Sequence, residues 1–373
     1  MYKYNWQQPD WPNFQYDLSV LYDDLLRITE KMGFISGKLA HFTENLQTEA
    51  MLDFMVEEAV KTSAIEGEYV SRPDVRLSIK NGLGLDREKL RVHDRRARGI
   101  AELMLDVRNT FKESITDTKL FSWHLMLLSS SINPNLRVGS WRIHEEPMQV
   151  VSGNYTRSIV HYEAPPSKDV PKEMERFIQW FNDTAPEKPQ AIKFPPVRAA
   201  IAHLYFESIH PFEDGNGRIG RAIAEKSLSQ SFGCPMLLSL SQAIEAKKSD
   251  YYAALHLAST SNEITAWIRY FVSIILQAQQ EVETYIDFVL KKAAFFDRFS
   301  DLLNERQLKV VQRMMKEGPK GFEGGMSAKK YMVIADTSKA TATRDLQQLH
   351  EMQLLKQTGG GRSVRYELNL DRL

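Results

Sequence analysis

Apolar residues recur every three or four positions over most of the chain, which is the period of a helix with one buried face. From Leu18 to about Lys112 this pattern predicts helices, and in "MLDFMVEEAVKTSAI" Leu52, Met55, Val56, Ala59, Val60 and Ser63 share one face. "GLGLD" after Lys80 predicts a break. Between about 139 and 171 the period shortens. "MQVVSGNYTRSIVHYEAPP" places β-branched and aromatic residues on either side of Ser152-Gly153-Asn154, which predicts a hairpin ended by Pro165-Pro166. Helices resume at "VPKEMERFIQWFN" and run with few interruptions to about Phe299. The last 75 or so residues differ. "ERQLKVVQRMM" predicts a helix stopped by Gly318-Pro319, "SAKKYMVIADT" a short helix and "SKATATRDLQQLHEMQLL" a longer one; "KQTGGGRSVRYELNL" then reads as strand, glycine turn, strand. The expected fold class is mainly α, a helical core with one β-hairpin followed by a small α+β unit. The chain shows no internal repeat.

At 373 residues the chain has room for two or three domains. Lys+Arg and Asp+Glu both total 48, so the molecule as a whole presents no field toward nucleic acid or membrane, and any polyanion site must be local. The single cysteine, Cys234, excludes an intramolecular disulfide framework and fits a reducing compartment. Its neighbours in "SFGCPMLL" predict buried packing rather than a reactive thiol. "MYKYNWQQPDWPNF" contains nothing like a signal h-region, and stretches such as "YFVSIIL" fall far short of the roughly 20 residues that span a bilayer. A soluble cytoplasmic protein without membrane partners is expected.

The stretch "HPFEDGNGRIGR", residues 210–221, breaks the helical pattern between two apolar runs. Gly215-Asn216-Gly217 gives backbone freedom just before a helix, and a glycine turn opening a helix points unpaired N–H groups at one spot, an anion site. Arg218 and Arg221, three apart in the first turn, project near that spot, and guanidinium suits forked contacts to phosphate oxygens. Asp214 would repel phosphates unless a cation lay between, which makes it a candidate Mg²⁺ ligand. His210 ends the preceding helix as the candidate proton acceptor, with Phe212 turned into the core. Together these groups suit phosphoryl or nucleotidyl transfer.

Singly, each residue has a plain structural explanation. Jointly, nine specified residues in twelve positions have a chance frequency on the order of 20 to the minus ninth power per start. The stretch resembles the core motif of the Fic family, His-Pro-Phe-x-Asp-Gly-Asn-Gly-Arg-x-x-Arg, with every specified position filled. The resemblance implies transfer of AMP from ATP to a hydroxyl side chain of a target protein, with release of pyrophosphate. Carried over to this chain, it makes His210 the general base and Asp214 the ligand of Mg²⁺, with Mn²⁺ the alternative ion. Gly215, Asn216 and Gly217 would form the nest, with the Asn216 side chain also on phosphate. Arg218 would hold the α- and β-phosphates and Arg221 the γ-phosphate, with Ile219 and Gly220 in the same nucleotide-binding turn. The hairpin at 148–163 matches the family's flap, which holds the target by strand addition; Val160, His161, Tyr162 and Glu163 would line the site, a purely structural hairpin being the alternative. In "SQAIEAKKSDYYAALHLASTSN", Tyr251 and Tyr252 would border adenine or else belong to the core, and Asn262 lies too far along for a clear role.

A second match is "TSAIEGE", which resembles the inhibitory helix motif of many Fic proteins through Thr62, Glu66 and Gly67. Thr62 and Glu66 share a helix face and Gly67 is a natural stop. Glu66 would pair with Arg221 and keep the γ-phosphate out. The alternatives are removal of AMP by the same site, or a DNA-binding regulator with a vestigial site. For the last, the C-terminal unit resembles a winged helix-turn-helix, with Ser338, Thr341, Thr343, Arg344 and Gln347 on the exposed face and Arg362 and Arg365 on the wing. From Ser327 onward eight Lys/Arg face five Asp/Glu, a mild excess suiting only weak contact with DNA; a protein partner is the other reading. The expected domains are an inhibitory helical region over 1–112, a catalytic core over 113–290 and the winged-helix-like unit over 291–373. The aromatic-rich N-terminus would suit a homodimer contact.

Overall fold

The computed structural model describes residues 2–372 apart from 87, 89, 132, 134, 155 and 156; the side chains of 151–159, 362 and 372 also lie outside the described residues. The chain forms two compact units, residues 1–279 and 280–373. Among the described residues it is mainly helical, with two small antiparallel sheets.

The first unit opens with α1 (Tyr22–Ala40), α2 (Glu44–Ile65), α3 (Arg72–Leu83), α4 (Arg95–Asn109) and α5 (Asp117–Leu128). Each start from α2 to α5 is fixed by a residue whose side-chain oxygen accepts a first-turn N–H: Thr43, Ser71, Asp94 and Thr116. The "GLGLD" break falls where expected, since Gly84 ends α3 in the left-handed conformation. Next come β1 (Gln149–Asn154) and β2 (Arg157–Glu163), an antiparallel hairpin with a bulge between Val150 and Val151. After α6 (Val170–Asp183), α7 (Pro195–Ile209) and α8 (Asn216–Phe232) form the centre. Residues 196–209 of α7 are all buried, which explains an apolar run without a polar face. Packed around this pair, α2 to α6 complete one core that includes Leu52, Val56, Ala59, Trp123, Phe177, Phe206, Phe212 and Ile219. The predicted face of α2 is buried from Leu52 to Ser63, with Val60 half-buried. Then follow α9 (Leu240–Ala246), α10 (Lys248–Ala258) and α11 (Thr265–Phe299), the last running from the first unit into the second.

Within the second unit α12 (Glu305–Met315), α13 (Ala328–Ala335) and α14 (Lys339–Glu351) precede β3 (Leu355–Thr358) and β4 (Arg365–Leu368), the predicted order. Val310, Met314, Tyr331, Leu346, Leu349 and Leu355 are its buried centre. The polar face expected of α14 is largely occupied at home. The Ser338 oxygen caps the helix, the Thr343 hydroxyl donates to the Lys339 carbonyl (2.9 Å) and Gln347 donates to Glu351 (3.2 Å). Thr341 is half-buried, as is Arg365, and Arg344 is exposed. The side chain of Arg362 lies outside the described residues.

One expectation fails. Cys234 is exposed rather than packed. It follows Gly233, whose left-handed φ of 74° ends α8, so the chain turns away before Met236 and Leu238 re-enter the core. Among the described residues no helix is long and apolar enough to cross a membrane.

Candidate active site

The site is built where α7 hands over to α8. His210 is the C-cap of α7, in the left-handed region at φ 51°, ψ 59°, a conformation that costs a residue with a Cβ roughly 1–2 kcal/mol. Arg142 holds it there. This buried guanidinium donates from Nε to the His210 carbonyl (2.8 Å) and from Nη2 to the carbonyls of Ile209 (3.3 Å) and Pro165 (2.5 Å), while Nη1 donates to Ser167 Oγ (2.8 Å). The turn that follows is braced from inside. Both ends of the Asn216 amide are engaged by Phe212, Oδ1 accepting its N–H (2.9 Å) and Nδ2 donating to its carbonyl (2.8 Å). His124 stacks on Phe212 with ring centroids 4.0 Å apart. Its Nδ1 accepts the Gly139 N–H (3.0 Å), which leaves Nε2 to donate to the Asp214 carbonyl (3.1 Å). Burial lowers its pKa to about 4, so the ring is neutral.

Gly215, at φ 81°, opens α8, and the N–H groups of Asn216, Gly217 and Arg218 point out of its first turn, where no intrahelical acceptor exists. That is an anion site by construction. A segment from the far side of the sequence comes up against it at Gly217. The C-terminus of α2 ends in a Schellman motif: Gly67 at φ 80°, Glu68 N–H to the Ser63 carbonyl (3.0 Å) and Gly67 N–H to the Ala64 carbonyl (3.0 Å). The two residues flanking Gly67 both reach α8. Glu66 Oε1 accepts from Arg221 Nη2 at 2.7 Å, and Glu68 Oε2 accepts from Arg218 Nη1 at 2.5 Å. Thr62 completes the clamp on Arg221 through its hydroxyl (2.7 Å to Nε) and its carbonyl (2.9 Å to Nη2). Gly217 makes the approach possible, since a Cβ there would lie 2.2 Å from Glu66 Oε1. Burial alone would raise the Glu66 pKa; the Arg221 guanidinium outweighs it, aided by Arg218 and Lys248, and holds the carboxyl below its ordinary value. Upstream, Glu58 of α2 is buried on the hydroxyls of Ser239 and Ser241, and Lys61 pairs with Glu245 (3.1 Å), anchoring the helix against α9.

His210 faces this charged cluster from the other side. Burial, reinforced by Arg142, lowers its pKa to about 4, so near neutral pH the ring has a lone pair to offer. Asp214, with half its side chain exposed, carries a carboxylate at the mouth, 3.4 Å from Arg218 Nη2. Among the described residues no group of three or more His, Cys, Asp or Glu converges as a resident metal site. A lone exposed carboxylate beside a phosphate-sized anion site fits a magnesium ion that arrives with its nucleotide, because Mg²⁺ is commonly held by one or two carboxylates plus substrate phosphates.

The remaining expected residues divide. Ile219 is buried in the core with its N–H given to Gly215, and Gly220 backs onto Glu207 and His203, so neither offers a side chain to a ligand. On the hairpin, Val160 is exposed and the His161 ring lies 6.1 Å from His256 of α10. Tyr162 is buried instead, its hydroxyl donating to the Ser208 carbonyl (2.6 Å) and its ring edge-on to Tyr4. Glu163 is tied to Gln149 (2.9 Å). Of the tyrosine pair, Tyr251 is buried against His203 (2.8 Å), whereas Tyr252 is 38% exposed and reaches the Ile65 carbonyl (3.3 Å) at the end of α2. Asn262 fastens the N-terminal segment through Asp10 (2.8 Å).

Residues 115–228 match a family model described as Fic/DOC family, and they contain the hairpin, His210 and both arginines. The chain carries a Fic domain. A second model, described as a domain of unknown function (DUF4172), matches residues 4–85, so the segment that clamps Arg221 lies outside the Fic domain. A protein adenylyltransferase fic-1 of Caenorhabditis elegans is 25% identical over 229 residues, covering 60% of this chain and 40% of that protein. A protein adenylyltransferase Fic of Drosophila grimshawi is 31% identical over 129 residues, covering 34% and 24%. The chain thus spans well under half the length of these curated relatives. In fold, it resembles a Fic family protein from Desulfovibrio desulfuricans G20 (TM-score 0.53, 20% identity, 96% of this chain and 98% of that one). It also resembles C. elegans Fic-1 (TM-score 0.50, 22% identity, 71% and 72%).

The sequence pattern missed Arg142, His124, Glu68 and Glu207, which surround the Fic motif in space. Only Glu68, two residues past Glu66 across a helix-stopping glycine, carried a local signal.

Proposed function

We propose that the protein is a self-inhibited protein adenylyltransferase that moves AMP from ATP to a Ser, Thr or Tyr hydroxyl of a target protein. The observation that carries this reading is a carboxylate from α2 lodged on Arg221 and against Gly217 in the first turn of α8, beside the end of the helix suited to a phosphate group. With Glu66 withdrawn, the N–H groups of residues 216–218, Arg218 and Arg221 receive the triphosphate, and Asp214 holds the magnesium ion that accompanies it. His210, neutral at working pH, takes the proton of the incoming hydroxyl. The hydroxyl oxygen bonds to the α-phosphorus, the bond to the β-phosphate oxygen breaks, and pyrophosphate leaves. The hairpin at 148–163 presents an edge on which an extended target segment adds as a strand, and the exposed ring of Tyr252 borders the base.

The clamp makes the resting enzyme slow. Leaving about 1% of molecules active needs a bias of only ~2.7 kcal/mol, within reach of a largely desolvated ion pair with two further hydrogen bonds donated by Arg221 to Thr62. Glu68 adds a second hold on Arg218. Incubation with α-labelled ATP and a cell lysate tests the reading. Glu66→Gly labels itself and targets more strongly than wild type, while His210→Ala binds nucleotide and loses transfer by orders of magnitude. A folded, ATP-binding Glu66→Gly variant with unchanged labelling contradicts the brake, and transfer near the wild-type level by His210→Ala contradicts the base.

A further inference from the structure

Beneath His210 lies a carboxyl that no step above uses. Glu207 sits three residues earlier on α7, only 7% exposed. Its Oε2 is 3.7 Å from His210 Nδ1, and its Oε1 has no hydrogen-bond partner among the described residues. Oε1 faces Gly220, where a Cβ would lie 2.4 Å away, so α8 leaves just enough room for it. The Glu207 main chain also favours a proton on the His210 ring, which places two acceptors of one residue beside that ring. The groups facing the carboxyl are few: His210 and His203 on α7, Arg221 on α8, Glu66 at the end of α2 and Tyr251 on α10.

Resting on the transfer reading above, we propose that Glu207 is a positioning residue for His210, its carboxylate fixing the ring with the proton on Nδ1 and Nε2 open to the substrate hydroxyl. In the clamped state burial pushes the Glu207 carboxyl up to about 8, with Glu66 adding to the rise and Arg221 opposing it. At pH 7 it is then a neutral acid. In the unclamped enzyme without nucleotide the negative neighbour is gone and Arg221 favours the ionised carboxyl; during turnover the γ-phosphate replaces Glu66 on Arg221, and it is the imidazolium forming 3.7 Å away that drives the Glu207 proton to solvent. The new carboxylate stabilises the imidazolium that forms when Nε2 takes the hydroxyl proton; that proton later passes to solvent and the ring returns to neutral.

The test compares Glu66→Gly with Glu66→Gly/Glu207→Gln in the full chain. The second substitution lowers kcat for AMP transfer at least about tenfold while KM for ATP is unchanged. Because an ionised neighbour raises the histidine pKa, its loss moves the acid limb of the kcat–pH profile to lower pH. Side-chain nitrogen NMR of His210 gives a readout independent of turnover: in Glu66→Gly the neutral ring carries its proton on Nδ1, and it titrates higher than in the double variant. Should Glu66→Gly transfer no AMP, the NMR titration alone decides the role of Glu207. Equal kcat and equal acid limbs, a proton on Nε2, or a loss that follows KM and melting temperature with the limb unmoved would each overturn the proposal.

Discussion

The two halves of this site differ in what holds them at rest. On the arginine side each guanidinium has an acidic partner, Glu66 for Arg221 and Glu68 for Arg218, and Arg221 has Thr62 as well. On the histidine side His210 is held through its backbone carbonyl by Arg142, and among the described residues each half keeps buried polar atoms without hydrogen-bond partners, Arg218 Nε and Arg221 Nη1 on one side and Glu207 Oε1 and His203 Nδ1 on the other. Buried polar atoms left unpaired cost ~1–3 kcal/mol each and persist where something else over-determines the structure. Here the burial of α7 on all sides supplies that constraint. On the proposed reading the contrast teaches that the arginine half is shut by a segment of α2 that withdraws, whereas the half proposed to handle the proton belongs to the core.

Removing His210 is the sharpest way to separate the halves. His210→Ala lowers transfer by ~10²–10⁴-fold and leaves nucleotide affinity within a few fold, checked by labelling and by calorimetry in parallel. Next in size, Glu66→Gly raises transfer up to ~100-fold, the reciprocal of a resting 1% active fraction. A smaller gain is expected from Glu68→Gln. Its carboxylate is about one-third exposed, and pairs of that kind contribute ~1 kcal/mol or less, so ATP binds at most about five-fold tighter, measured as Kd. Smallest is a pH effect on stability. The Glu66 carboxyl is held below its ordinary value, so its contribution is complete above that value and is lost as pH falls through the depressed one. The melting-temperature gap between wild type and Glu66→Gln is therefore flat from pH 7 to about 5 and closes only in more acid solution. A gap that closes already between pH 7 and 6 would mean that another group carries the clamp.

How much the sequence disclosed follows the same division. The motif at 210–221 was legible because nest, arginines, acid and base lie within one turn and the ends of two helices. Glu66 was legible through a short pattern ending in glycine, and the structure explains that ending as a Schellman motif aiming two carboxylates at once. Arg142, His124 and Glu207 were not legible. A guanidinium that spends itself on carbonyls, or an acid facing inward between apolar neighbours, leaves no periodic trace in the chain. Tyr162 and Tyr251 illustrate the converse. Their aromatic type suggested a lining role, but tertiary packing turned both hydroxyls toward α7. Cys234 failed because apolar neighbours do not reveal that a left-handed glycine has already turned the chain outward.

The most direct measurement is a crystal structure of the Glu66→Gly chain soaked with ATP and magnesium. The account predicts the triphosphate on the N–H groups of residues 216–218, with the γ-phosphate on Arg221 and the α-phosphorus facing His210 Nε2. A triphosphate bound elsewhere, or Arg221 claimed by another protein acceptor once Glu66 is gone, would contradict it.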